Sequence, residues 1–274
     1  MSYKRILTIQ DISCVGQCSL TVALPILSAC GHETAILPSA VLSTHTAGFT
    51  GFTVRDLADD MPAICDHWQK EGIRFDAIYT GYLGSEPQID YVLDIVSRTA
   101  APDARFVVDP AMGDNGKLYP AFDLTYAHAM RRLCARADVL LPNITEACYL
   151  TDTEYRETYD EAYIKELLDK LSVLSGAAII ILTGVSYRQG YTGVVVREGE
   201  TTQYYEHKHL PRGCHGTGDV YASAFVGMLM RGESAYDAAV IAADYTVACM
   251  EYTQTDPDHW YGVKFEPLLG RLAK

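Results

Sequence analysis

Basic residues are scarce in this 274-residue chain: 22 lysines and arginines face 35 aspartates and glutamates, a formal charge of −13. That balance excludes a general binder of nucleic acid or of anionic membranes, because both are held by cationic surface. No apolar run approaches the roughly 18 residues that a membrane-spanning helix needs. The chain passes at once into Lys4-Arg5-Ile6-Leu7-Thr8-Ile9, which leaves no room for a signal sequence. The eight cysteines include no CxxC pair and sit mostly in apolar surroundings, as reduced core thiols do. These absences predict a cytoplasmic protein with neither nucleic-acid nor membrane partners. Repeats, low-complexity tracts and linkers are missing too, so residues 1–274 read as one domain. A hydrophobic content of 49% gives that domain a substantial core.

What is present centres on residues 211–219, Pro-Arg-Gly-Cys-His-Gly-Thr-Gly-Asp, followed by a run of small and apolar residues at 220–230. The run has helical spacing, with Tyr221, Ala224, Phe225 and Met228 on one face. Glycines ahead of a helix let backbone N–H groups converge, and the positive end of the helix dipole lies there, so the turn is a seat for phosphate. Asp219 falls in the first turn. It is either a charge that stabilises the helix or a base facing a hydroxyl that attacks phosphorus, and an ordinary cap has the same spelling.

Elsewhere strands and helices alternate. Strands are expected at 6–10, 34–41, 75–80, 105–109, 138–141 and 177–183, and helices at 16–29, 55–71, 88–98, 126–135, 159–174, 236–252 and 266–272. This is the pattern of a mostly parallel sheet covered by helices on both faces. Residues 193–197 and 201–207 flank Glu198-Gly199-Glu200 and predict an antiparallel hairpin at one margin. The polar segment 42–53 reads as a small flap, a β-excursion or a plain surface loop.

Several strand ends carry acids or hydroxyls: Asp11 with Ser13, Thr80, Asp109, Asn143 with Glu146, and Thr183. Open α/β sheets bind ligands at that edge. Singly, each is also a plausible cap. Asn143-Ile144-Thr145-Glu146 has the outline of a capping box, although the same glutamate is placed to hold a water on Mg²⁺. A hard metal is expected because an acidic protein cannot neutralise nucleotide phosphates unaided. The histidines show no zinc-type spacing.

With these residues in view, the chain resembles the ribokinase-like superfamily and within it the pyridoxal kinases. The matching stretches are residues 6–10, Ser43-Thr44-His45-Thr46, Tyr79-Thr80-Gly81-Tyr82-Leu83-Gly84, Asp109-Pro110-Ala111-Met112-Gly113-Asp114, Leu141-Pro142-Asn143 with Glu146, and Gly216-Thr217-Gly218-Asp219. The resemblance implies a three-layer α/β sandwich and ATP-dependent phosphorylation of the 5′-hydroxymethyl group of a vitamin B6 vitamer. It gives Asp219 the role of base and makes Gly216, Thr217 and Gly218 the anion hole. It assigns Asp109, Asp114, Tyr119, Asn143, Glu146 and Thr183 to ATP, Glu146 and Asp109 to Mg²⁺, and Asp11, Ser13, His45 and Thr46 to the substrate. It further implies a homodimer and leaves a monovalent cation open. Asp11 stands where pyridoxal kinases carry serine, and a carboxylate there would pair with a protonated pyridine nitrogen or an amine, favouring pyridoxamine. Cys214-His215-Gly216-Thr217-Gly218 also resembles the hydroxymethylpyrimidine kinases, whose motif ends in cysteine where this one has Asp219. A hydroxymethylpyrimidine or sugar kinase, and a vitamer-binding regulatory protein without chemistry, are the rival readings.

Overall fold

The computed structural model describes residues 3–273. In chain order the elements are β1 (Arg5–Ser13), α1 (Leu20–Ala29), β2 (Glu33–Leu42), β3 (Val54–Asp56), α2 (Met61–Lys70), β4 (Phe75–Thr80), α3 (Glu86–Thr99) and β5 (Ala100–Val108). A two-stranded excursion, β6 (Gly113–Asp114) and β7 (Lys117–Leu118), leads to α4 (Leu124–Cys134), β8 (Val139–Leu140), α5 (Ile144–Thr151) and α6 (Glu161–Ser175). The chain ends with β9 (Ile179–Val185), β10 (Tyr191–Glu198), β11 (Thr201–Lys208), α7 (Thr217–Arg231), α8 (Ala235–Gln254) and a 3₁₀ turn, Glu266–Arg271.

Nine strands make one sheet in the order β11-β10-β9-β8-β5-β4-β1-β2-β3. From β9 to β2 neighbours are parallel, and the margins are antiparallel. The apolar strands are buried on both faces because their side chains alternate between two cores. Ile78, Phe106, Val108, Ile180 and Leu182 pack with helices α2 to α6. Ala77, Tyr79, Val107, Ile179 and Ile181 pack with α1, α7 and α8 on the other side. The result is the mostly parallel sheet with helices on both faces that the alternation implied, and the three-layer sandwich that the resemblance implied. Among the described residues no helix is long and apolar enough to cross a membrane.

Three expectations need correction. The helix placed at 16–29 starts only at Leu20. Gly16 has φ +100°, and the His45 ring fills the space a side chain would need there, so residues 14–19 form a loop. The helix placed at 55–71 splits, because Val54–Asp56 pairs with Ala40–Leu42 as an edge strand. Asp56 then turns the chain by accepting from the Ala58 N–H at 2.7 Å, and α2 begins at Met61 with proline in its first turn. Segment 42–53 is therefore a β-excursion, the long tip between β2 and β3. Thr183 lies inside β9 rather than at its end, since that strand runs on to Val185.

Candidate active site

Helix α7 begins at Gly216, whose φ of +82° suits glycine and whose missing side chain lets the Gln17 carbonyl approach. No side chain caps its first-turn amides, which leaves N–H donors at a positive helix end. Asp219 sits in that turn and is partly exposed. Surrounding protein and the Asp11 carboxylate push its pKa up to about 7, while the Ser19 backbone N–H, which faces it, works the other way. An ordinary cap would satisfy those amides; here they stay available beside an acid poised to take a proton at neutral pH.

The parallel strands deliver the other acids to the same edge. Asp109 follows β5 and accepts from the Ala111 N–H at 3.1 Å. Burial, then the charges of Glu146 and Asp219, hold its carboxyl well above the usual range. Glu146, at 2% exposure, completes a capping box with Asn143: its Oε2 accepts from Asn143 N–H at 2.9 Å, and Asn143 Oδ1 accepts from Glu146 N–H at 2.9 Å. Its Oε1 accepts from Met112 N–H at 3.0 Å. Burial still raises Glu146 to about 7 against those donors. Asn143 Nδ2 donates to Gly113 O at 2.8 Å, and Thr183 bridges to Asn143, its N–H meeting Pro142 O at 3.0 Å.

The β6–β7 hairpin folds over this group. Tyr119, just beyond it, is exposed as a whole residue, yet desolvation by the surrounding protein, then the charges of Glu146, Asp109, Asp114 and Asp219 that it faces, push its phenol up. Asp114 is exposed and is engaged by Asn115 through both carboxylate oxygens, which makes it a turn-former in this structure.

On the other side of Asp219, at the same end of the sheet, Asp11 is 4% exposed. Burial raises its pKa, opposed by the Ser19 and Ser13 hydroxyls and by His45. Ser13 Oγ donates to Asp11 Oδ2 at 3.1 Å, so that hydroxyl serves the carboxylate. His45 has both ring nitrogens engaged: Nδ1 accepts from Ala47 N–H at 3.1 Å, which puts the proton on Nε2 for donation to Tyr261 O at 2.6 Å. With Phe49 against its ring and Trp260 against Phe49, His45 ties the 42–53 excursion to the C-terminal segment. Thr46 is exposed and hydrogen-bonds to none of these groups.

Comparisons with known proteins give the family and the fold. The phosphomethylpyrimidine kinase family matches residues 31–263. The chain belongs to that family. A candidate phosphomethylpyrimidine kinase of Bacteroides thetaiotaomicron, crystallised with pyridoxal, is 38% identical, with a TM-score of 0.93 over 100% of this chain and 96% of that one. The pyridoxal kinase of Lactobacillus plantarum is 34% identical, with a TM-score of 0.91 over 99% of this chain and 97% of its own. Pyridoxal kinase PdxY of Granulibacter bethesdensis is 28% identical over 233 residues, 81% of this chain and 80% of that protein. These likenesses make the chain a kinase of the pyridoxal kinase family with a ribokinase-like fold.

In this kinase the donors around Asp109 are hard carboxylate oxygens, the chemistry that Mg²⁺ takes with phosphate and water completing its shell. Among the described residues no three His, Cys, Asp or Glu side chains converge as a protein-only metal cage. Sequence reasoning missed Ser19, whose backbone and hydroxyl serve Asp219 and Asp11 respectively. No local signal announces it, since a serine at φ +56° is not marked by the residues on either side. Tyr79, whose hydroxyl faces Asp109 and Asp219, stands out in the sequence only as the residue ahead of the Thr-Gly-Tyr stretch.

Proposed function

We propose that this kinase transfers the γ-phosphoryl group of ATP to the 5′-hydroxymethyl group of pyridoxal, pyridoxamine or pyridoxine, with residues 1–274 acting as one catalytic domain. The observation that carries the reading is Asp219 in the uncapped first turn of α7, its pKa raised to about 7. A base with that pKa accepts a hydroxyl proton at neutral pH, and amides beside it meet the charge that develops on the transferred group.

In this mechanism Asp219 deprotonates the acceptor, and the N–H groups of Gly216, Thr217 and Gly218 steady the phosphoryl oxygens. Asp109 would be the carboxylate that holds a Mg²⁺ ion accompanying ATP, and Glu146 would act through water, because both its oxygens already accept backbone N–H bonds. Such an ion neutralises phosphate charge. Asn143 and Thr183 border the nucleotide, and Tyr119 with its hairpin shields the phosphates. Asp11, steadied by Ser13, pairs with the pyridine nitrogen or amine of the vitamer, and the 42–53 excursion, latched by His45, excludes water. The same reading includes a homodimer, which light scattering tests.

The relative crystallised with pyridoxal supports the vitamer as acceptor. A hydroxymethylpyrimidine acceptor is the second reading, favoured by the family's description and by the Cys214–Gly218 spelling. ATP turnover with pyridoxal, pyridoxamine, pyridoxine, hydroxymethylpyrimidine and ribose separates them. Preference for a B6 vitamer is expected; turnover confined to hydroxymethylpyrimidine or ribose would overturn the assignment.

A further inference from the structure

Beneath Asp219 lies a set of buried oxygens to which phosphoryl transfer gives no task. Ser223 follows Asp219 by four residues on α7, so the two lie one above the other on the same face. That helix covers the sheet face from which Tyr79 projects. In the β1–β4 register Thr8 sits opposite Tyr79, and side chains alternate, so Thr8 and Gln10 share that face. All four side chains, Thr8, Gln10, Tyr79 and Ser223, are fully buried. Gln10 Nε2 donates to Thr8 Oγ1 at 2.9 Å, which fixes the amide and leaves its Oε1 as the free end.

Gln10 Oε1, the Tyr79 hydroxyl and Ser223 Oγ make no hydrogen bond of ordinary distance and angle within the described residues, yet the Tyr79 hydroxyl lies close enough to Ser223 and Gln10 for both to act on it as hydrogen-bond partners. Buried polar oxygens without a well-formed hydrogen bond are costly, so a cluster of three such atoms gathered about the Tyr79 hydroxyl calls for a function. The Tyr79 hydroxyl also faces the carboxylates of Asp219 and Asp109, which directs the set at the reacting end of the cleft.

We propose that Tyr79, Ser223 and Gln10 form a polar seat under Asp219 that aims the carboxylate at the acceptor hydroxyl. They are positioning residues acting through Asp219, and the inference rests on Asp219 being the base. A donor held near a carboxylate favours its charged form, so loss of the seat makes Asp219 harder to ionise. The titratable groups facing Asp219 are Asp11 on β1, Cys18 ahead of α1, Tyr79 on β4, Asp109 after β5 and Tyr119 after β7. All but Tyr79 stay unchanged in the variants.

The test is steady-state kinetics against pH for Tyr79→Phe, Ser223→Ala and the double variant, beside Asp219→Asn, with pyridoxal and MgATP. Tyr79→Phe should lower kcat about 5–20-fold and move the acid limb of kcat/KM upward by roughly 0.5–1 pH unit, with both KM values within about twofold. Ser223→Ala should move both in the same direction, and the double variant should lose less than the product of the singles. Native kcat and a native acid limb in Tyr79→Phe would overturn the proposal, whatever happens to the melting temperature. If that variant fails to fold, Ser223→Ala decides the matter on the same limb: an upward move supports the seat and a native limb overturns it. Retained turnover in Asp219→Asn would overturn the base assignment as well, whereas an inactive Asp219→Asn beside a native Tyr79→Phe would remove the seat alone.

Discussion

Replacing Gly216 and Gly218 in turn by alanine separates a phosphate cradle from an ordinary helix start. At Gly216, φ is +82° and a Cβ would stand 1.9 Å from the Gln17 carbonyl oxygen. A side chain at such a φ costs roughly 1–2 kcal/mol. Relieving the overlap also moves the start of α7 away from the 14–19 loop by on the order of 1 Å, and close-packed surroundings make that cost about as much again. A loss of about 3 kcal/mol lowers Tm by roughly 5–10 °C in a chain of this size. The contact being forced apart is the one across which the Ser19 N–H faces Asp219, so turnover falls too, by about 100-fold for a displacement of that order. Gly218 behaves oppositely. Its φ is ordinary and a Cβ there meets nothing within 4 Å, so alanine in the first turn should stabilise the fold by about 0.5–1 kcal/mol. If the open space in front of Gly218 receives the phosphoryl oxygens, the same methyl obstructs them, and kcat should fall about 100-fold in a protein that melts higher. Calorimetry and a coupled ADP assay on the two variants read both quantities. A Gly218→Ala protein that is more stable and fully active would refute the cradle, because that is what a plain cap predicts.

Other expectations follow from individual contacts. Asp11→Ser should raise KM for pyridoxamine about 10-fold while changing that for pyridoxal less, since the carboxylate offers a charge-assisted partner to a cationic amine; equal changes for the two vitamers would remove Asp11 from substrate choice. His45→Ala unties the 42–53 excursion from Tyr261, so limited proteolysis should cut there faster than in the native protein, and an unchanged cleavage rate would contradict the latch. The folded-state pKa values of Asp109, Glu146 and Asp219 are all raised above the unfolded ones. The folded protein therefore binds more protons, its stability is fullest below the ordinary carboxylate range, and this contribution is lost as pH rises through about 7 for Glu146 and Asp219. Urea titrations should show stability falling between about pH 4 and 7 and levelling off above that, and falling less steeply in Asp219→Asn; a steeper fall in that variant would contradict the sign.

Much of the fold was legible because its information is local or strictly periodic. Strands buried on both faces read as short apolar runs between helices, and Glu198-Gly199-Glu200 marked the β10–β11 hairpin that the sheet carries at its margin. The Asn143–Glu146 capping box needs only four consecutive residues and forms in both halves. The failures lie where distant residues decide. Arg55 and Asp56 looked helical until β2 offered them an edge, and Gly16 looked like a helix start although the His45 ring occupies the space beside it. Among the candidate site residues, Asp11, Asp109, Glu146 and Asp219 do share one end of the sheet and influence one another electrostatically. The role of His45 was not legible, because its partners Ala47 and Tyr261 come from a turn and from the far end of the chain.

The central claim is that Asp219 takes the proton from a vitamer hydroxyl as phosphoryl transfer proceeds, and kcat of Asp219→Asn at pH 8 with pyridoxal and MgATP tests it most directly. A loss of at least about 100-fold is expected, with vitamer binding measured by fluorescence titration retained. Turnover within about threefold of native would contradict it.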